Sequence, residues 1–92
     1  MKPPPELDGA RVLWWSWSGE VPYGEHGTEG DERWVHGFAV CQYEKSGAIY
    51  RFSCNKHWEV VNDADCNTED QAKASIPMNY DATRVKWHRF VT

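Results

Sequence analysis

Residues 34–62 read WVHGFAVCQYEKSGAIYRFSCNKHWEVVN, and this stretch decides the fold. β-Branched and aromatic residues dominate it, with breaks at Glu44-Lys45-Ser46-Gly47 and again at Asn55-Lys56. Branched and ring side chains pack well on a pleated surface, so the stretch predicts a three-stranded antiparallel meander. A two-residue turn at Ser46-Gly47 would pair Tyr43 with Tyr50, Cys41 with Phe52 and Ala39 with Cys54. A three-residue turn with Gly47 as a bulge would slip the pairing by one and flip that face. The first register matches like with like and is the expectation. The third strand is expected over residues 57–62, with Trp58 and Val60 on one face and Val61 on the other.

Upstream, residues 11–18 (RVLWWSWS) form the first strand, with Leu13, Trp15 and Trp17 on one face and Val12, Trp14 and Ser16 on the other. Rings on both faces imply a central strand or an exposed tryptophan. Leu7-Asp8-Gly9-Ala10 is turn chemistry. Residues 1–10 begin with MKPPP and read as an extended arm, because proline favours polyproline II and donates no backbone hydrogen bond. Residues 19–33 carry four glycines, one proline and five acids without periodicity, as long recognition loops do.

Downstream, Thr68 followed three residues later by Gln71 is a capping box, predicting a short helix near residues 68–76 that Pro77 ends. Residues 84–91 (RVKWHRFV) read as the closing strand. The expected fold is mainly β: five antiparallel strands in a partly open barrel, one short helix before the last strand, and a single domain over residues 11–92. This order resembles that of SH3-like barrels. Ile76-Pro77-Met78-Asn79-Tyr80 is similar to the proline-to-tyrosine segment before the last strand of SH3 domains. The resemblance implies that Tyr80 lines a peptide groove.

Ninety-two residues hold one small core, burying roughly 60–65% of the unfolded chain's surface. Six Trp, four Tyr and three Phe suit a core of few large rings. No apolar run approaches a membrane span, and MKPPPELDG has no apolar signal region, so the expected location is cytoplasmic. Three cysteines make no self-contained disulfide framework. Cys41, Cys54, His57 and Cys66 fit no standard zinc spacing and read as structural, with no metal and no cofactor expected.

The net charge of −4 conceals alternation along the chain: residues 1–32 and 61–83 are acidic, residues 33–60 and 84–92 basic. No nucleophile elbow, phosphate loop or fixed carboxylate pair occurs, so an enzyme is not expected. The favoured function is a non-catalytic interaction domain for a basic protein or extended peptide, an inhibitor or immunity-type protein being one form. Its expected surface is Tyr23, Glu25, Glu29, Asp31 and Trp34 of the acidic loop with Trp15 and Tyr80, since acids steer and rings anchor. The alternative is a small nucleic-acid-binding barrel using Arg84, Lys86, Trp87 and Arg89, where basic and aromatic residues interleave.

Overall fold

The structure is a computed structural model describing residues 1–27 and 33–92. Strands β1 (Glu6–Leu7) and β2 (Ala10–Trp17) form a hairpin in which Leu7 faces Ala10. Asp8 (φ 50°) and Gly9 (φ 80°) both turn left-handed, the conformation a two-residue hairpin loop requires. The second half of the expected arm is therefore docked, with Leu7 and Ala10 buried. Within residues 19–35, β3 (Gly24–Glu25) pairs with β4 (Trp34–Val35), ordering part of the stretch that lacked periodicity.

The meander is β5 (Gly37–Gln42), β6 (Ile49–Cys54) and β7 (Val60–Cys66). Helix α1 (Glu69–Lys73), a 3-10 turn at Ala82–Arg84 and strand β8 (His88–Arg89) follow. The main sheet runs β1-β2-β5-β6-β7, five antiparallel strands curled into a half-barrel, and β8 joins β2 beside β1.

Several expectations about the strands need correcting. The central hairpin pairs Cys41 with Tyr50 and Ala39 with Phe52, two residues from the expected register. Its loop is the four-residue Glu44-Lys45-Ser46-Gly47: Tyr43 and Ala48 bond across it, and Gly47 closes it at φ 74°. A slip of two preserves the faces, so Ala39, Cys41, Phe52 and Cys54 still share one side. The third strand starts later, at Val60, because Asn55 holds residues 55–59 in a turn. Its Oδ1 accepts from the N–H groups of His57 and Glu59, at 2.9 and 3.0 Å. The closing strand shrinks to His88–Arg89, since Arg84 lies in the 3-10 turn.

A bulge at Leu13 shifts the register between Val12, opposite Cys41, and Trp14, opposite Val40. Val12 thereby joins Trp15 and Trp17 on one face, while Trp14 and Ser16 take the other. A variant of the capping box forms: Thr68 Oγ1 accepts from the Gln71 N–H at 3.0 Å, while Gln71 Oε1 accepts from the Asn67 N–H, one residue before the cap. The helix ends at Lys73, shorter than expected.

Both faces of the sheet are covered. On one, Val12, Ala39, Cys41, Phe52, Cys54 and Trp58 form a core with Leu7 and Ala10. On the other, Tyr23, Val35, Phe38 and Tyr80 form a second, and Val40, Cys66 and Ala72 a third. Each face has a ring laid on a glycine. A Cβ on Gly37 would lie 2.5 Å from Trp58 Cζ3, and one on Gly24 would lie 2.5 Å from Tyr80 Cδ1.

Candidate interaction surface

The residues singled out in sequence do not assemble into one surface. Tyr23 and Tyr80 are each 6% exposed and belong to the core. Tyr23 shares a hydrogen bond with Ser16 Oγ and stacks on Phe38 at 4.8 Å. Tyr80 sits edge-on to the same ring at 5.6 Å and donates to the Glu25 carbonyl at 3.2 Å. Burial raises the pKa of both phenols above the ordinary value. Neither ring has a face free for a partner, so Tyr80 lines no groove of the kind the SH3 resemblance implies.

Glu25 is exposed and pairs with Arg33 at 3.3 Å, and the Arg33 guanidinium covers Trp34 at 4.8 Å. Trp15 lies across the sheet from Tyr23, facing Ala39. Glu29 and Asp31 lie outside the described residues.

The alternative basic strip is divided as well. Arg84 donates to the carbonyls of Val21 (2.8 Å), Pro22 (2.9 Å) and Ser18 (3.3 Å), and its guanidinium lies over the Tyr23 ring. It clips residues 18–22 to the 3-10 turn. Trp87 packs between the two cores of the second face. Lys86 and Arg89 are exposed, but Arg89 sits opposite Trp14 while His88 sits opposite Trp15, on the reverse face.

The cysteines are free thiols, all buried. Cys66 belongs to a different core from Cys41 and Cys54, and His57 is exposed on the 55–59 turn. Burial first, then the Asp8 carboxylate, pushes Cys41 up to about 12. Burial drives Cys54 higher still, with lesser help from Cys41 and Asp8.

What the fold does gather is a row of rings on the β2-β5-β6 face, beside acids that sequence reading passed over. Trp15, Trp17, Tyr43 and Tyr50 are all half-buried around the first core. Trp17 packs on Trp58 at 5.4 Å and on His36 at 5.5 Å, and Trp15 on His88 at 4.7 Å. Tyr43 and Tyr50 meet at 5.6 Å with their planes at 88°, edge to face. The register places Asp65 opposite Tyr50 and Asp63 opposite Phe52, on this same face. Asp8 arrives through the β1-β2 turn, its carbonyl accepting from Tyr43 Oη at 2.9 Å. Loss of surrounding water, then the Asp8 carboxylate, Tyr50 and Asp63, raises the Tyr43 pKa. The Asp8 and Asp63 carboxylates thus bring negative charge close to Tyr43. The indole N–H groups of Trp15 and Trp58 have no acceptor among the described residues, leaving hydrogen-bonding capacity unused on this side.

One signal could have located this face. Residues 60–66 (VVNDADC) alternate in side-chain direction like the rest of the meander, but aspartate is depleted in strands and reads as a strand end.

Among the described residues no group of three or more His, Cys, Asp or Glu side chains could hold a metal ion, and no helix is long and apolar enough to cross a membrane. Comparison with protein-family models, with characterised proteins and with solved structures finds no match.

Proposed function

We propose that this chain is a non-catalytic interaction domain that binds a basic protein or extended peptide on the half-barrel face carrying Trp15, Trp17, Tyr43 and Tyr50. The observation that carries the reading is the meeting of half-buried rings with Asp8, Asp63 and Asp65 on one side of a rigid sheet. Tyrosine and tryptophan bury large area at low entropic cost and dominate interface energetics. Their π-faces attract Lys and Arg cations, and neighbouring carboxylates strengthen that attraction. Relative to the surface expected from sequence, Trp15 is kept, Trp17, Tyr43 and Tyr50 replace Tyr23, Trp34 and Tyr80 as anchors, and Tyr23 and Tyr80 belong to the core of the other face. Glu25 and the acidic loop contribute to steering rather than to anchoring. An inhibitor or immunity-type protein that occupies a basic partner is one form of this function.

Engagement of Arg84 with three carbonyls and the packing of Trp87 weigh against a nucleic-acid face along residues 84–89. Titration with a lysine-rich peptide, read by tryptophan fluorescence at low and high salt, tests the reading. Saturable binding that weakens with salt and falls at least tenfold in Tyr43→Ala is expected. Equal binding by that folded variant would place the site elsewhere.

A further inference from the structure

The sheet has one long free edge. Among the described residues β7 pairs only with β6, and its seven residues dwarf the two-residue strands β1 and β8 at the other side. In an antiparallel edge strand every second residue turns its N–H and C=O outward, ready for another strand. No backbone hydrogen bond to the outer side of residues 60–66 occurs among the described residues.

The side chains on that edge select what can pair. Asp63 and Asp65 stand exposed on the ring-bearing face, two residues apart, with Ala64 between them on the other face. A second copy of the chain pairing antiparallel through β7 would set these aspartates against their counterparts, because residue i meets j as j meets i. Like charges directly opposite are destabilising, so the edge repels itself. An incoming strand with lysine or arginine at alternate positions meets no such penalty. Its cations fall beside Asp63 and Asp65, and their stems run toward Tyr50 on the neighbouring strand.

We propose that β7 is a docking edge, and that the basic partner binds by adding a strand to it with Lys or Arg side chains alternating onto the Asp63–Asp65 face. The mode is β-augmentation, in which main-chain hydrogen bonds supply affinity and alternate side chains supply specificity. This inference rests on the reading of the ring-bearing face given above, and it names the backbone contact that reading leaves open.

The test uses a capped peptide, matched to β7 in length, in which lysine alternates with valine and threonine. A second peptide has the same sequence but backbone N-methyl groups on the lysines, the residues directly opposite Asp63 and Asp65 in an antiparallel pair, which keeps the charge and removes the N–H groups needed for pairing. Expected results are slowed hydrogen exchange at outward-facing β7 amides with the first peptide, and binding weaker by about tenfold or more with the second. Asp63→Asn/Asp65→Asn, both exposed positions, should bind the first peptide about tenfold more weakly and gain concentration-dependent self-association in sedimentation. Equal binding of the two peptides would overturn strand addition while leaving the ring-bearing face as the site. Ring signals shifting without β7 protection would do the same. Binding of neither peptide, with all variants folded, would overturn both readings. Dimerisation of the parent chain through β7 would show that a second copy is the occupant, and would also overturn the inference.

Discussion

Gly37→Ala should cost far more than one methyl group on a strand suggests. A Cβ at this position would stand 2.5 Å from Cζ3, 2.6 Å from Cη2 and 3.1 Å from Cε3 of Trp58. Carbon atoms rest at about 3.5–4.0 Å, so the indole must retreat by roughly 1 Å. It has little room to do so. Trp58 is only 6% exposed, its backbone is held left-handed at φ 62°, and its N–H donates to the Asn55 carbonyl at 3.0 Å. Overpacking of this kind costs about 1–3 kcal/mol, and expelling the ring would cost about 3–5 kcal/mol. Urea unfolding followed by far-ultraviolet circular dichroism measures the loss without relying on the tryptophan itself. Trp58→Ala supplies the control. In that background the clash is gone, and alanine should be neutral or stabilise by about 0.5–1 kcal/mol, since glycine weakens a strand. The reasoning is refuted if Gly37→Ala costs the same in both backgrounds, or costs nothing in the parent.

Three further outcomes follow from the packing. Arg51 is 3% exposed, bonds Ser53 Oγ at 2.8 Å and meets no carboxylate in an ion pair among the described residues, so Arg51→Met should be neutral or stabilising by about 1–2 kcal/mol; a loss above about 2 kcal/mol in urea unfolding would contradict this. Arg84→Ala removes the clip on Ser18, Val21 and Pro22, so limited proteolysis should cut residues 18–27 at least tenfold faster, and unchanged cleavage would show that the clip is dispensable. Cys41 and Cys54 keep their protons in the folded state above the ordinary thiol value of 9.0, whereas the unfolded chain releases them. The stability they confer is therefore complete below about pH 9 and lost as pH rises toward 12, at about 1.4 kcal/mol per pH unit for each thiol. Cys41→Ala should flatten that decline, and an equally steep decline in the variant would refute the assignment.

How much of this was legible in the sequence depends on which forces set each element. The meander, the capping box and the Asp8-Gly9 turn are local, and period-two patterning and cap chemistry announced them. The shift to Val60–Cys66 was not announced, because Asn55 organises its turn through side-chain hydrogen bonds that have no periodicity. The bulge at Leu13 likewise moves Val12 to the other face without a glycine or proline to mark it. The acidic loop read as exposed because its composition is polar, yet Tyr23 is the residue that buries itself against Phe38. Tyr80 lies in the segment that the SH3 resemblance singles out, yet it is buried rather than open, since Gly24 leaves a bare backbone for it only in three dimensions. The ring-bearing surface is half visible in sequence: the expected register puts Tyr43 and Tyr50 on one face with Cys41 and Phe52. Asp63 and Asp65 completed it only once the third strand had moved.

The central claim concerns which side of the sheet meets a basic partner, and a two-dimensional NMR titration with the lysine-alternating peptide at low salt tests it most directly. Shifts concentrated at Tyr43, Tyr50, Asp63, Asp65 and the Trp15 and Trp17 indole N–H groups, weakening as salt rises, are the expected result. Shifts confined to Tyr23, Trp34, Lys86 or Arg89, or no saturable binding at all, would contradict it.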